Sequence, residues 1–374
     1  MNEKSFAAHL ERWTAESSRP HADNSPYTIP VFIQLIPKSQ AQDMFEVAFD
    51  EINYTIPLFD VPILTSLLEE HYADPDPSPG KNPPRWAMIN IALAVAFQSR
   101  ASSCSQSEMA KLSWAFFKNA FSMYPTIVLR GDGVLAVEAL LAMAVFTQGT
   151  NDTRTNSTLV SASARLSLTI GLHQKSYYSH LDAVTANRCM RAFWMSYVLD
   201  KDVETSTGIP SIYDDSVTGL PYTDIIAVSP SSFDTSTDLP SLLFRSRVGL
   251  AVIISDIKMR LVNGLSRNES YPQVLGEVVE LDRRLKVWKE GLPSSIHPDH
   301  VNWSKIPLAA KESILILYFV YYQALISTHN FAASLEPNGA ISQAISSKDI
   351  QASAASQIIK MLHYLPPQQP GRLW

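Results

Sequence analysis

The chain has 374 residues, 46% of them hydrophobic, 10% aromatic and only 18% charged, which excludes a disordered chain and allows one large core or two cores sharing an interface. Thirty Lys and Arg stand against 36 Asp and Glu, giving a net charge of -6. A surface that binds nucleic acid by neutralising phosphates needs the opposite balance, so no direct nucleic-acid contact by this chain is expected. Residues 1–38 read as a loosely ordered arm without the apolar segment of a secretory leader. Ser39 and Gln42 form a capping-box pattern ahead of Phe45, Ala48, Phe49 and Ile52, which share a helix face. Asp60 before Val61-Pro62 predicts an N-cap and a second helix to about Tyr72. The proline-rich stretch 73–84 predicts a long loop.

Helical patterns then succeed one another. Trp86, Ile89, Leu93, Ala96 and Phe97 form one stripe; Ser105 with Glu108 is a second capping box; Val134, Val137, Leu141, Ala144 and Val145 form an alanine-rich stripe. A helix over about 153–170 ends at Gly171, suited to a left-handed cap, and another covers about 182–205. Residues 206–240 read as a second long loop, followed by helices near 241–264, 270–290, 308–333 and 349–364. Thr126–Leu129 is the best strand candidate in a chain nearly without strand signals. The fold class is therefore all-α: helix hairpins over 39–365, with a weaker split near 230–240 and a tail at 366–374. No run reaches the ~18 apolar residues of a membrane span, so no membrane partner is expected. Two cysteines, Cys104 and Cys189, are too few for a secreted disulfide scaffold, and the nucleus or cytoplasm is the expected compartment.

Catalytic signatures are missing: no glycine-rich cofactor or phosphate loop, no nucleophile elbow, no metal-ligand spacing. No catalytic residue, cofactor or metal is predicted. His297 and His300 sit in a polar loop, and Asp214-Asp215 reads as a helix cap or a solvated doublet before it reads as an acid–base pair. Arg283, Arg284, Lys286 and Lys289 lie among acids and suit a salt-bridged face. Aromatic residues concentrate on two helices: Trp194 and Tyr197 on one, Tyr318, Phe319, Tyr321 and Tyr322 with His329 on another. Such a set either walls a site for a small hydrophobic metabolite or is plain core. Phe193 and Trp194, beside Met190, Tyr197 and Val198, read as core, with Asp200 and Asp202 on the far side.

The order of blocks resembles the regulatory domain of fungal zinc-cluster transcription factors. The run Arg191–Lys201, RAFWMSYVLDK, is similar to that family's Arg–Phe-Trp–Tyr–Leu-Asp helix, and Gly208-Ile209-Pro210, Asp214-Asp215 and Leu220-Pro221 to the loop after it. Pro57-Leu58-Phe59-Asp60, Gly171-Leu172-His173 and the Tyr318–His329 helix take their places in a similarity over about 35–365. Three features depart from the pattern. No cysteine precedes Cys104, where the family carries its zinc cluster; Ile209 replaces an arginine; and the chain stops at Trp374, where the family continues. The resemblance implies a regulatory module that senses a metabolite or holds protein partners, including a second copy of itself. A stand-alone binding protein or enzyme of specialised metabolism, and a truncated inhibitor, stay open beside it.

Overall fold

The computed structural model describes residues 31–99, 106–148, 150–215, 220, 239–262, 271–334 and 341–364. Among these the regular elements are all helical. They are α1 (Lys38–Ile52), α2 (Val61–Ala73), α3 (Pro83–Ser99), α4 (Gln106–Phe121), α5 (Tyr124–Arg130), α6 (Gly133–Gln148), α7 (Thr153–Thr169) and α8 (Ala183–Thr207). Then come α9 (Leu239–Ile257), which runs into a π-helical turn, α10 (Tyr271–Glu290), α11 (Leu308–Ser334) and α12 (Ile341–Met361).

Consecutive helices pack as hairpins, most closely α3 on α4, α6 on α7 and α11 on α12. The centre of the first half is α3 against α6. Every residue from Trp86 to Phe97 and from Ala136 to Thr147 is buried, and the alanines let the two backbones approach. Two apolar clusters result. One is built by α1–α8 and the other by α9–α12, with α9 dividing its faces: Phe244, Val248 and Ala251 enter the first, Leu250, Ile253 and Ile257 the second. Buried asparagines tie the entry segment to the core. Asn119 accepts from the Phe32 amide and donates to the Ile33 carbonyl and to Asn90 Oδ1. Residues 31–37, inside the stretch read as an arm, are thus packed, with Ile33 and Ile36 buried.

Several caps follow the sequence. Asp60 Oδ1 accepts from the Ile63 amide, Asp152 and Asp182 cap α7 and α8 in the same way, and Gly171 ends α7 at φ +87°. The Leu172 amide reaches back to the Ser167 carbonyl and the Gly171 amide to Leu168, the paired bonds of a Schellman motif. Three expectations need correction. The α1 helix begins at Lys38 without a capping box, because the Pro37 carbonyl receives the Gln40 and Ala41 amides. Thr126–Leu129 is helical, within α5, where Pro125 in the first turn favours helix over the β-branched residues' preference. The last helix starts at Ile341, where packing of α12 on α11 overrides a weak local signal. Ser105 lies outside the described residues, as does most of 206–240.

Helix α11 contains Leu308–Phe331, long and apolar enough to cross a membrane by length and composition, where the sequence was expected to offer no such run. Polar residues such as Gln323, Ser327 and Thr328 interrupt it, so a search for an unbroken apolar run passes over it. Its most apolar window is 56% buried, against α9, α10 and α12.

Candidate functional site

The Arg191–Lys201 block of α8 is a set of fold locks. Arg191, 7% exposed, pairs with Asp60 at 3.6 Å, so two of the sequence blocks that carried the resemblance meet in space. Asp200 is buried and accepts from Ser211 Oγ at 2.5 Å and the Ile212 amide at 3.0 Å. Burial raises its carboxyl pKa, against the opposing pull of those two bonds and of Lys201. Asp215 accepts from Tyr197 Oη at 2.6 Å, from Lys201 Nζ at 3.3 Å and from Ser255 Oγ. Burial, then the Asp215 charge, pushes the Tyr197 phenol far up. One expectation changes here. Asp214-Asp215 read as a cap or a solvated doublet, but Asp215 ties α8 to α9, because Lys201, 3% exposed, needs a counter-charge. Of the two acids on the far side of α8, Asp200 holds the following loop and Asp202, 36% exposed, lines a cavity.

That cavity, about 840 Å³, lies along the seam between the two clusters. Ile52 at the end of α1 and Ile56 beyond it, Val145 near the end of α6, and Met195, Val198 and Leu199 of α8 supply the side of the first cluster. Ile254 and Ile257 of α9 and Leu315, Phe319 and Val320 of α11 supply the other. Polar side chains are interspersed: Thr147, Asn156, Gln98, Ser313 and Gln323. Thr55 and Ser313 join the two sides directly, hydroxyl to hydroxyl at 2.6 Å. Both cations of the wall, Arg247 and Lys258, are ion-paired. Asp202 of α8 pairs with Arg247 of α9, and Lys258 with Glu204 at 4.0 Å. Burial raises the Asp202 carboxyl pKa, opposed by Arg247, and lowers that of the Lys258 ammonium, opposed by Glu204. The volume is within the range of pockets that enclose drug-sized ligands, roughly 300–1,000 Å³.

Of the aromatic and histidine residues singled out in the sequence, Phe319 lines this cavity and the other six do not. Trp194 packs edge-on against Phe193 and Tyr197, Tyr197 points to Asp215, and the Tyr318 hydroxyl donates to the Ile296 carbonyl. Tyr321 stacks on Trp288 and meets Tyr322 edge-on. His329 lies between Ser347 Oγ at 3.3 Å and Asp282 Oδ1 at 3.4 Å, long contacts that fix α10, α11 and α12 together. The two helices named from the sequence do wall the cavity, but by other faces: Met195, Val198 and Asp202 on α8, Ile316, Phe319 and Val320 on α11. Arg247 escaped the sequence reading; its signal was a charge within the apolar run of α9. The basic cluster of α10 is salt-bridged, Arg283 to Glu280, Lys286 to Asp282, Arg284 to Asp256 and Lys289 to Asp299. His297 and His300 stack ring on ring at 4.7 Å.

The fold and its site define a class: an all-helical domain in two packed parts with a mostly apolar cavity at their seam. The chain belongs to the family of the fungal specific transcription factor domain, which residues 49–290 match. It is 31% identical to an ABC-transporter-regulating transcription factor of Aspergillus fumigatus and 32% identical to one of Aspergillus oryzae, each over 84% of this chain and 35% of the relative. It is 27% identical to the fusaridione A cluster transcription factor of Fusarium heterosporum, over 87% of this chain and 60% of the relative. The chain thus spans about a third of the length of the Aspergillus relatives it matches. No solved structure matches it.

Proposed function

We propose that the chain is the effector-responsive part of a fungal transcription regulator: a small molecule enters the seam cavity and, by touching both clusters, sets how they pack. The cavity carries this reading, because α9 belongs to both clusters and the walls facing each other come from different ones. A ligand bound there stabilises one relative arrangement by its own binding free energy, which is the requirement for a switch. The net charge of -6 supports a module that leaves DNA contact to other parts of a regulator. Its compartment is then the nucleus. The relatives named for ABC transporters and for a metabolite cluster support target genes in export or specialised metabolism.

The experiment is a reporter strain in which the chain is tethered to an unrelated DNA-binding domain. Transcription is expected to change when extract of a metabolite-producing fungus is added, and Val320→Trp, which fills the cavity, is expected to abolish the response. A reporter indifferent to extract, or one that responds equally in the filled variant, overturns the reading.

A further inference from the structure

The connection from α2 to α3 runs through Asp74-Pro75-Asp76-Pro77-Ser78-Pro79-Gly80-Lys81-Asn82, and Ser78 is exposed in the middle of it. Ser25, Ser78 and Ser229 are each followed by proline, and Ser78 alone of them has a basic residue three positions on, Lys81. Proline lacks an amide hydrogen and steers the residue before it to extended backbone. A kinase that lays its substrate out in extended form can therefore cover the following proline with an apolar surface and strand no donor. An acidic group of the kinase two residues further along takes the cation. We infer that Ser78 is a phosphorylation site for a proline-directed protein kinase that reads Lys81, and that the phosphate then draws Lys81 away from Asp74. This goes beyond the effector reading and does not depend on it.

The local geometry permits both steps. The Lys81 amide donates to the Ser78 carbonyl at 3.2 Å, so the two residues are the first and fourth of a turn, with Cα atoms within about 7 Å. The Lys81 side chain is 50% exposed and pairs with Asp74, and an ion pair so exposed to water is weak enough to be exchanged. In the transfer, Ser78 Oγ attacks the γ-phosphorus of a nucleoside triphosphate. The new O–P bond forms as the bond to the β-phosphate oxygen breaks, the hydroxyl proton passes to the catalytic aspartate of the kinase, and the diphosphate leaves. The product carries about −1.5 to −2 charges within reach of Lys81, against a single charge on Asp74. Of the charged residues around Ser78, Asp74 and Asp76 repel the phosphate, and Lys81 and Arg85 attract it. Arg85, 11% exposed, is held between Asp74 and Glu70, so Lys81 is the cation that changes partner.

The test treats the purified, folded chain with a cyclin-dependent kinase and magnesium ATP, and locates the phosphate by mass spectrometry. Ser78 is expected to be the main site. Pro79→Ala and Lys81→Gln should each lower kcat/KM at Ser78 at least about tenfold, with melting temperatures recorded to confirm folding. A folded chain left unmodified at Ser78, or a Lys81→Gln chain modified at the native rate, overturns the inference. Phosphorus NMR reads the second step. The second ionisation of the phosphate, ordinarily near pH 6, should fall about half a pH unit lower in the native chain than in Lys81→Gln after prolonged modification. Equal values would mean that Lys81 stays with Asp74, which overturns the exchange. Ser78 precedes α3, while the seam cavity meets the far end of that helix at Val95, Gln98 and Ser99, roughly 25 Å along it. Nile red, an apolar dye that reports the cavity by fluorescence, should therefore bind the phosphorylated and unmodified chains within about twofold of each other. A larger difference would place the action of the phosphate at the seam and overturn its local action, whereas failure of the dye to bind either form bears on the effector reading alone.

Discussion

The hydroxyl of Tyr197 donates to Asp215 Oδ1 at 2.6 Å, and through that carboxylate α8 is bound to the acidic turn that follows it and to α9. Lys201, almost wholly buried, takes the other carboxylate oxygen. Tyr197→Phe removes one bond to a charged acceptor and should cost about 1.5–3 kcal/mol in urea unfolding. Asp215→Ala strands the Lys201 ammonium and should cost about 3–5 kcal/mol. If Asp215→Ala proves no worse than Tyr197→Phe, the carboxylate is not the hub described here.

Neighbouring residues of α11 should respond in opposite ways. Tyr318 is fully buried with its hydroxyl on the Ile296 carbonyl, so Tyr318→Ala should cost about 3–5 kcal/mol. Phe319 faces the cavity, and Phe319→Leu should cost under about 1.5 kcal/mol while weakening Nile red binding. Equal destabilisation would show that the two faces of α11 are packed alike.

Two glycines test backbone conformation with opposite signs. Gly171 sits at φ +87° in the cap of α7, and Gly171→Ala should destabilise by about 1–2 kcal/mol. Gly276 is inside α10, and a Cβ there meets nothing within 4 Å. Gly276→Ala should raise stability by about 0.5–1 kcal/mol in thermal melts. A loss at Gly276 would contradict the open space around it.

The proline-rich loop has an acid-sensitive staple. Asp74 receives Lys81 Nζ at 2.5 Å, the Asp76 amide at 3.1 Å and Arg85 Nη2 at 3.2 Å. The Lys81 bond above all, then the Asp76 amide, lowers its carboxyl from the ordinary 3.8 to about 2. A depressed carboxyl stabilises the fold above its unfolded value and loses that contribution as pH falls through the folded one. The window is therefore from about pH 4 to about pH 2. The Asp76 amide proton shift should titrate with its midpoint near 2 and stay flat in Asp74→Asn. A midpoint near 4 would mean the staple is not formed.

Residue pattern alone determined the helical class, the ends of α2, α7 and α8, and the family, because each rests on local chemistry. Asp60 can cap whatever follows it, Gly171 permits a left-handed turn anywhere, and proline bars helix from 74–82 regardless of neighbours. Those same local rules placed Trp194 and Tyr318 on helices that do wall the cavity. They did not determine which face looks inward. Large apolar residues lie on every side of helix α11, so no single stripe distinguishes the side packed on α10 and α12 from the side that meets the cavity. Aromatic size drew attention to Tyr318, Tyr321 and Tyr322, yet large rings are what a close-packed interior uses, and the cavity is left to Phe319, Val320 and smaller neighbours. The partners of Asp202, Asp215 and Arg191 were likewise invisible. Each lies 14 or more residues away along the chain, and only the docking of α9, of the turn after α8 and of the turn before α2 brings them within reach. Periodicity records what each helix presents; tertiary packing decides which presented face meets protein and which meets the seam.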